Sequence, residues 1–237
     1  MTEPRPSRYW PSCLAGFISW PCALWFTGCS CLFFLIAADV RYHGSIARWD
    51  QQFTTYLHSL ETHKILFFSW VTEFGTGGAQ KLLWALTLPL AFSKCWYQVP
   101  GLFLAVFLGG DINSKMQHFF GRHRPTFDDL PLLTHPGFPS GHTANACLFF
   151  GYAALILWVE FGSTKLFKAS VAVISSAVIL SVAASRAALL VHYTSDVIGS
   201  LLWCTAWIIV CYSVNRAALQ ASAQRMNIWL KGGCNST

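Results

Sequence analysis

The chain has 237 residues, of which 54% are hydrophobic and only 11% charged. A soluble domain carries about 25% charged residues, so this balance, with 19 Phe and 11 Trp, points to a lipid surrounding in which ionisable groups are costly. The net charge of +6 comes from sixteen Lys and Arg scattered between apolar stretches, which excludes a concentrated nucleic-acid-binding surface.

In chain order, an apolar run from Cys13 to Ala38 follows Arg5 and Arg8. It is longer than a signal-peptide core and lacks a small-x-small cleavage site, which predicts a retained membrane helix. Residues 39–64 are polar, with Trp49, Phe53, Tyr56, Leu57 and Leu60 at helical spacing. That pattern predicts a short amphipathic helix lying in the interface. A break at Gly75-Thr76-Gly77-Gly78 precedes a second span near 79–93, and a third follows over 100–120. Residues 121–139 form a polar, Pro-rich loop. Further spans are expected over 142–159, 166–185 and 193–214. The expected fold is all-α: one polytopic membrane domain over residues 1–237, with six transmembrane helices and the interfacial helix. No internal repeat is apparent. The nine cysteines, Cys13 to Cys234, lie mostly in apolar segments and read as small apolar fillers. Asn235-Ser236-Thr237 has the form of a glycosylation sequon and reads as chance.

Six spans place both termini on one side, with Arg5, Arg8, Lys94, Lys165, Lys168 and the basic tail. The positive bias puts that side in the cytoplasm. The 121–139 loop and the 186–192 turn then both face outward.

Chemistry-bearing residues gather there in three segments: Gly121-Arg122-His123-Arg124-Pro125, Pro139-Ser140-Gly141-His142, and Ser185-Arg186 with His192 and Asp196. The Arg forks suit phosphate oxyanions, although basic residues also flank membrane spans as a matter of course. The second segment offers a helix N-terminus, which favours anions, and a hydroxyl donor in Ser140, although Ser140 would serve equally as a plain cap. His192 and Asp196, four apart, share a face if helical. The carboxylate then holds one ring nitrogen and leaves the other as a nucleophile, although such pairs are also common on surfaces. The conjunction of all three at one membrane face favours chemistry over the separate bland readings.

This pattern resembles the type 2 phosphatidic acid phosphatase superfamily, which has the ordered motifs Lys-x6-Arg-Pro, Pro-Ser-Gly-His and Ser-Arg-x5-His-x3-Asp. The second stands intact at 139–142 and the third at 185–196. In the first, Arg124-Pro125 is present but Gln117 occupies the Lys position, with Lys115 two residues before it. Lys115 and Arg122 form a rival register in which His123 replaces Pro. On a helix, Lys115 and Gln117 point about 200° apart.

The resemblance implies a metal-independent lipid phosphatase with no cofactor. His192 attacks phosphorus, Asp196 orients His192, and His142 protonates the leaving oxygen and later activates water. Arg124, Arg186, Ser140 and Gly141 hold the phosphate, with Gln117 or Lys115 at the edge of the site. The implied partners are the bilayer and a membrane lipid phosphate: undecaprenyl pyrophosphate, phosphatidylglycerophosphate, phosphatidic acid or lipid A. No nucleic acid and no obligate protein partner are implied. The expected location is the bacterial inner membrane, with the site facing the periplasm. A lipid phosphotransferase on the same site, and a non-catalytic lipid-binding protein with a relic site, are the alternatives. A vanadate-binding haloperoxidase is conceivable but those proteins are soluble. Asp111 and Asn113, within the third span, are either functional or polar contacts between helices.

Overall fold

The computed structural model describes residues 20–93 and 95–233. Arg5, Arg8, Cys13, Lys94, Cys234 and Asn235-Ser236-Thr237 lie outside the described residues. The described chain is helical, as expected, with no strand among its elements: α1 (Trp20–Arg41), α2 (Ser45–Ser59), α3 (Leu66–Val71), α4 (Gly77–Ala91), α5 (Val99–Phe103), α6 (Gly109–Phe120), α7 (Gly141–Ile156), α8 (Lys165–Ala188) and α9 (Thr194–Gly233). Single π-helical turns over Leu104–Leu108 and Leu157–Phe161 join α5 to α6 and extend α7.

Four helices among the described residues are long and apolar enough to cross a membrane: Trp20–Arg41, Gly141–Phe161, Lys165–Ala188 and Thr194–Gln224. The two other expected spans fall short for different reasons. α4 has 15 residues, about 22 Å at 1.5 Å per residue, against a hydrocarbon core of about 30 Å. The stretch from α5 through α6 is continuous, but its second half carries Asp111, Asn113, Ser114, Lys115, Gln117 and His118.

α7 is the central helix. Its Ala144, Cys147 and Leu148 pack with Phe33, Ala37 and Val40 of α1, Phe138 of the loop, and Trp203 and Cys204 of α9. Its Phe149, Tyr152 and Ile156 join Leu102, Ala105 and Cys211 in a second cluster. α1 and α8, by contrast, present Trp25, Phe34 and Leu35, and Leu166, Ile174 and Leu180, outward. An apolar helix exposed in this way is stable only when lipid covers it. Cys29, Cys147, Cys204 and Cys211 are buried thiols, so they fill the interior as small side chains.

Within the stretch expected to hold an amphipathic helix, residues 45–59 form α2. Asp39, near the end of α1, accepts the Ala47 N–H at 3.0 Å and so caps its first turn. His58 at its other end contacts Asp129 at 2.9 Å and stacks on Phe127 at 4.1 Å. These contacts fasten the 121–139 loop across α2. The ends of α1, α6 and α8 and the starts of α7 and α9 then meet beneath that loop.

Candidate active site

α8 ends in a tight turn. The N–H groups of Leu189, Leu190 and Val191 return to Ser185, Ala187 and Arg186 carbonyls, and Leu190 takes a left-handed φ of 57°. That reversal drops His192 between two helices. The His192 N–H also reaches the Arg186 carbonyl, at 3.3 Å. His192 therefore lies in the turn before α9, not on a helix, which corrects the shared helical face expected for His192 and Asp196. Asp196 sits in the first turn of α9, and its Oδ2 stands 3.4 Å from His192 Nδ1. The same Oδ2 accepts the Tyr193 N–H at 3.0 Å. The pair forms because the chain folds back onto the helix start, where the dipole favours a carboxylate.

His192 is 1% exposed. A carboxylate only accepts, so Nδ1 carries the proton and Nε2 carries the lone pair. Nε2 is buried with no hydrogen-bond partner. Burial lowers the imidazole to about 4, with Asp196 opposing the shift and Arg124 and Arg186 adding to it. His192 is thus a neutral base aimed into a site with two guanidinium groups in electrostatic reach.

Arg186 is buried, donates from Nη1 to the Thr72 hydroxyl, and has an unpartnered Nε. Arg124 spends Nε on the His135 carbonyl at 2.9 Å and Nη1 on the Val191 carbonyl at 3.1 Å. Burial lowers Arg124, and Asp196 opposes that. His142, in the first turn of α7, is in electrostatic reach of Arg186, His192 and Arg124. Ser140 holds the N-cap position of α7 but makes no side-chain cap bond. Its Oγ accepts from the Thr143 hydroxyl at 3.1 Å, and its N–H reaches the Asp196 carbonyl at 3.2 Å. The start of α7, with its unpaired first-turn N–H groups, is thereby tied to the start of α9.

Gln117 and Lys115 diverge as a helix requires. Gln117 Nε2 donates to the Pro139 carbonyl at 2.8 Å and lies 3.6 Å from where a Cβ on Gly141 would sit. Lys115 is exposed and pairs with Asp111 at 2.8 Å, away from the site. Asp111 is therefore spent on a surface pair. Asn113 is buried and accepts from Trp203 Nε1 at 3.1 Å, a contact between helices.

The sequence reading missed Asp50, and it gave Arg122 no partner. Arg122 Nη1 donates to Asp196 Oδ1 and, at 2.7 Å, to Ser195 Oγ; its Nη2 donates to Asp50 Oδ2 at 2.8 Å. Its plane covers the Tyr193 ring at 4.3 Å. Burial alone would lower Arg122, but Asp196 and Asp50 together raise it. The one available signal for Asp50 was an acid beside Trp49 within the helix expected at the interface. Its partners lie 72 and 145 residues away, beyond any local pattern.

Comparison with known proteins places this arrangement. The model of the PAP2 superfamily matches residues 98–219, just over half of the chain and all three motif segments. Phosphatidylglycerophosphatase B of Bacillus subtilis is 27% identical over 176 residues, covering 71% of this chain and 84% of that protein. The crystal structure of the transmembrane PAP2 type phosphatidylglycerolphosphate phosphatase from Bacillus subtilis superposes with a TM-score of 0.69 at 21% identity, over 81% of this chain and 96% of that one. With the family model spanning more than half its length, the chain belongs to the PAP2 superfamily.

Proposed function

We propose that this protein is a multi-pass bacterial membrane phosphatase that removes a phosphoryl group from a lipid through a phosphohistidine on His192. The observation that carries the reading is the buried, unpartnered Nε2 of His192, with Nδ1 facing Asp196 and Arg124 and Arg186 within electrostatic reach. In the first step, the Nε2 lone pair forms the N–P bond as the P–O bond to the lipid breaks, and His142 gives its proton to the leaving oxygen. In the second, His142 takes a proton from water, which attacks phosphorus and releases phosphate and free His192. The two guanidinium groups, the Ser140 hydroxyl and the N–H groups at the start of α7 answer the charge on the phosphoryl oxygens.

Phosphatidylglycerophosphate is the first substrate to examine, because the Bacillus subtilis relative bears that activity in its name. Undecaprenyl pyrophosphate, phosphatidic acid and lipid A complete the panel. For topology, we infer that α4 and the Val99–Phe120 stretch complete six crossings, with the termini in the cytoplasm and the site facing outward.

The test is phosphate release from this panel in detergent. His192→Ala should lose at least about a thousandfold in kcat, as nucleophile removal does elsewhere, while eluting as the wild type does and keeping its helical content. The wild type, quenched with labelled substrate, should yield an acid-labile, base-stable phosphoenzyme that the variant lacks. Retained activity in His192→Ala would remove the nucleophile assignment. Phosphate release that appears as a new phospholipid when an acceptor lipid is supplied would favour phosphoryl transfer.

A further inference from the structure

The deepest acidic side chain on α2 is Asp50, at 0% exposure. Its Oδ1 accepts the Ser195 N–H at 3.0 Å, and its Oδ2 accepts both the Ser195 hydroxyl and Arg122 Nη2. Asp50 therefore caps α9 from another helix and holds one arm of the guanidinium whose other arm is held by Asp196. An exposed ion pair contributes little, but these groups are almost wholly removed from water: Arg122 is 11% exposed and both carboxylates 0%.

The charges decide what this cluster does. Arg122 and Asp196 alone would cancel, and Asp196 would then offer little negative field to His192. Two carboxylates and one guanidinium leave one net negative charge, and Asp196 stands between that charge and the imidazole. As His192 takes on positive character in forming the N–P bond, that net charge stabilises it.

We propose that Asp50 is a positioning residue for phosphoryl transfer: it neutralises Arg122, so that Asp196 keeps a net negative field and a fixed orientation against His192. The proposal rests on the reading of His192 as nucleophile. It also gives the interfacial helix a part in the reaction, since α2 carries the acid that holds the catalytic turn.

The experiment measures kcat and KM for phosphate release in detergent for the wild type, Asp50→Asn, Arg122→Gln and the double variant, with thermal unfolding as a folding control. Asp50→Asn keeps the shape and cancels the net charge, so kcat should fall at least about tenfold with KM within about threefold. Adding Arg122→Gln restores the net negative charge, so the double variant should recover several-fold over Asp50→Asn, a non-additive rescue that a packing role would not give. A wild-type kcat in Asp50→Asn, or a folded double variant no faster than Asp50→Asn, overturns the proposal. If Asp50→Asn does not fold, a folded double variant with kcat within about tenfold of wild type supports it, and a slower one overturns it. If neither folds, Asp50 belongs to folding and the proposal is overturned. A wild-type protein inactive on every lipid phosphate removes the phosphatase reading itself, and the proposal with it.

Discussion

His192 shows how much of a candidate site is decided at a single side chain. Burial strips its water, so the neutral form is favoured and the value drops to about 4. A free histidine titrates near 6.5, so between these values the unfolded chain binds more protons than the folded one. The contribution of His192 to stability is therefore complete above about pH 6.5 and is lost as pH falls through about 4. Thermal unfolding in detergent should show a falling midpoint over that window, and His192→Gln should flatten the fall. Gln117 is the second decisive residue. It stands where the family motif has Lys and is already bonded to the Pro139 carbonyl beside Gly141. Gln117→Lys should put an ammonium at the same place and raise kcat/KM about three- to tenfold, since a charged donor is worth more than a neutral one to a phosphate. No change in kinetics would mean that position 117 does not face the substrate. Gln117 and its departure from the motif were legible in the sequence. Its bond to Pro139 was not, because that bond depends on α6 and the loop meeting in space.

At the scale of elements, the site depends on close approach between helices. The 3-10 turn Thr72–Gly75 packs against the start of α7, where Asn145 Nδ2 donates to the Gly75 carbonyl at 3.2 Å. A Cβ on Gly75 would lie 2.7 Å from the His142 carbonyl and 2.9 Å from Val182 Cγ1. Backbone cannot swing aside as a side-chain tip can, so Gly75→Ala must displace the first turn of α7. It should cost about 1–3 kcal/mol of stability and lower kcat more than it raises KM, because His142 and Ser140 move with that turn. Measuring unfolding and kinetics on the same preparation checks both halves. The Gly-rich break around this position is visible in the sequence, but which helix it admits is not. The turn between α8 and α9 is similar. Its residues are an intact motif, yet the pattern suggested a helical His–Asp pair, and the left-handed Leu190 instead places His192 before the helix. Local spacing does not distinguish a pair on a helix from a pair across its first turn.

For the whole molecule, the arrangement of helix ends is the governing fact. Helices that alternate in direction bring residues distant in sequence to one face, and α2 lies across that face with its acid turned inward. If that face is the outer one, a green fluorescent protein fused after Thr237 should fluoresce in bacterial cells, and an alkaline phosphatase fusion at the same place should be inactive. The reverse pattern would invert the orientation. Among the described residues, four helices are long and apolar enough to cross alone. α4 is shorter than the hydrocarbon core is thick, and the second half of the Val99–Phe120 stretch is polar.

The sequence by itself determined the lipid environment, the all-helical class, the amphipathic helix that became α2, and the identity and order of the motif residues. These follow from composition, from period and from short spacings, which are local properties of a chain. The tertiary structure alone decided the partners of those residues: Arg122 between Asp50 and Asp196, Arg186 on Thr72, Gln117 on Pro139, and Nε2 of His192 left without a partner. The contacts join segments far apart in the chain, and they and the unpartnered nitrogen are fixed by where helices end and how closely they pack.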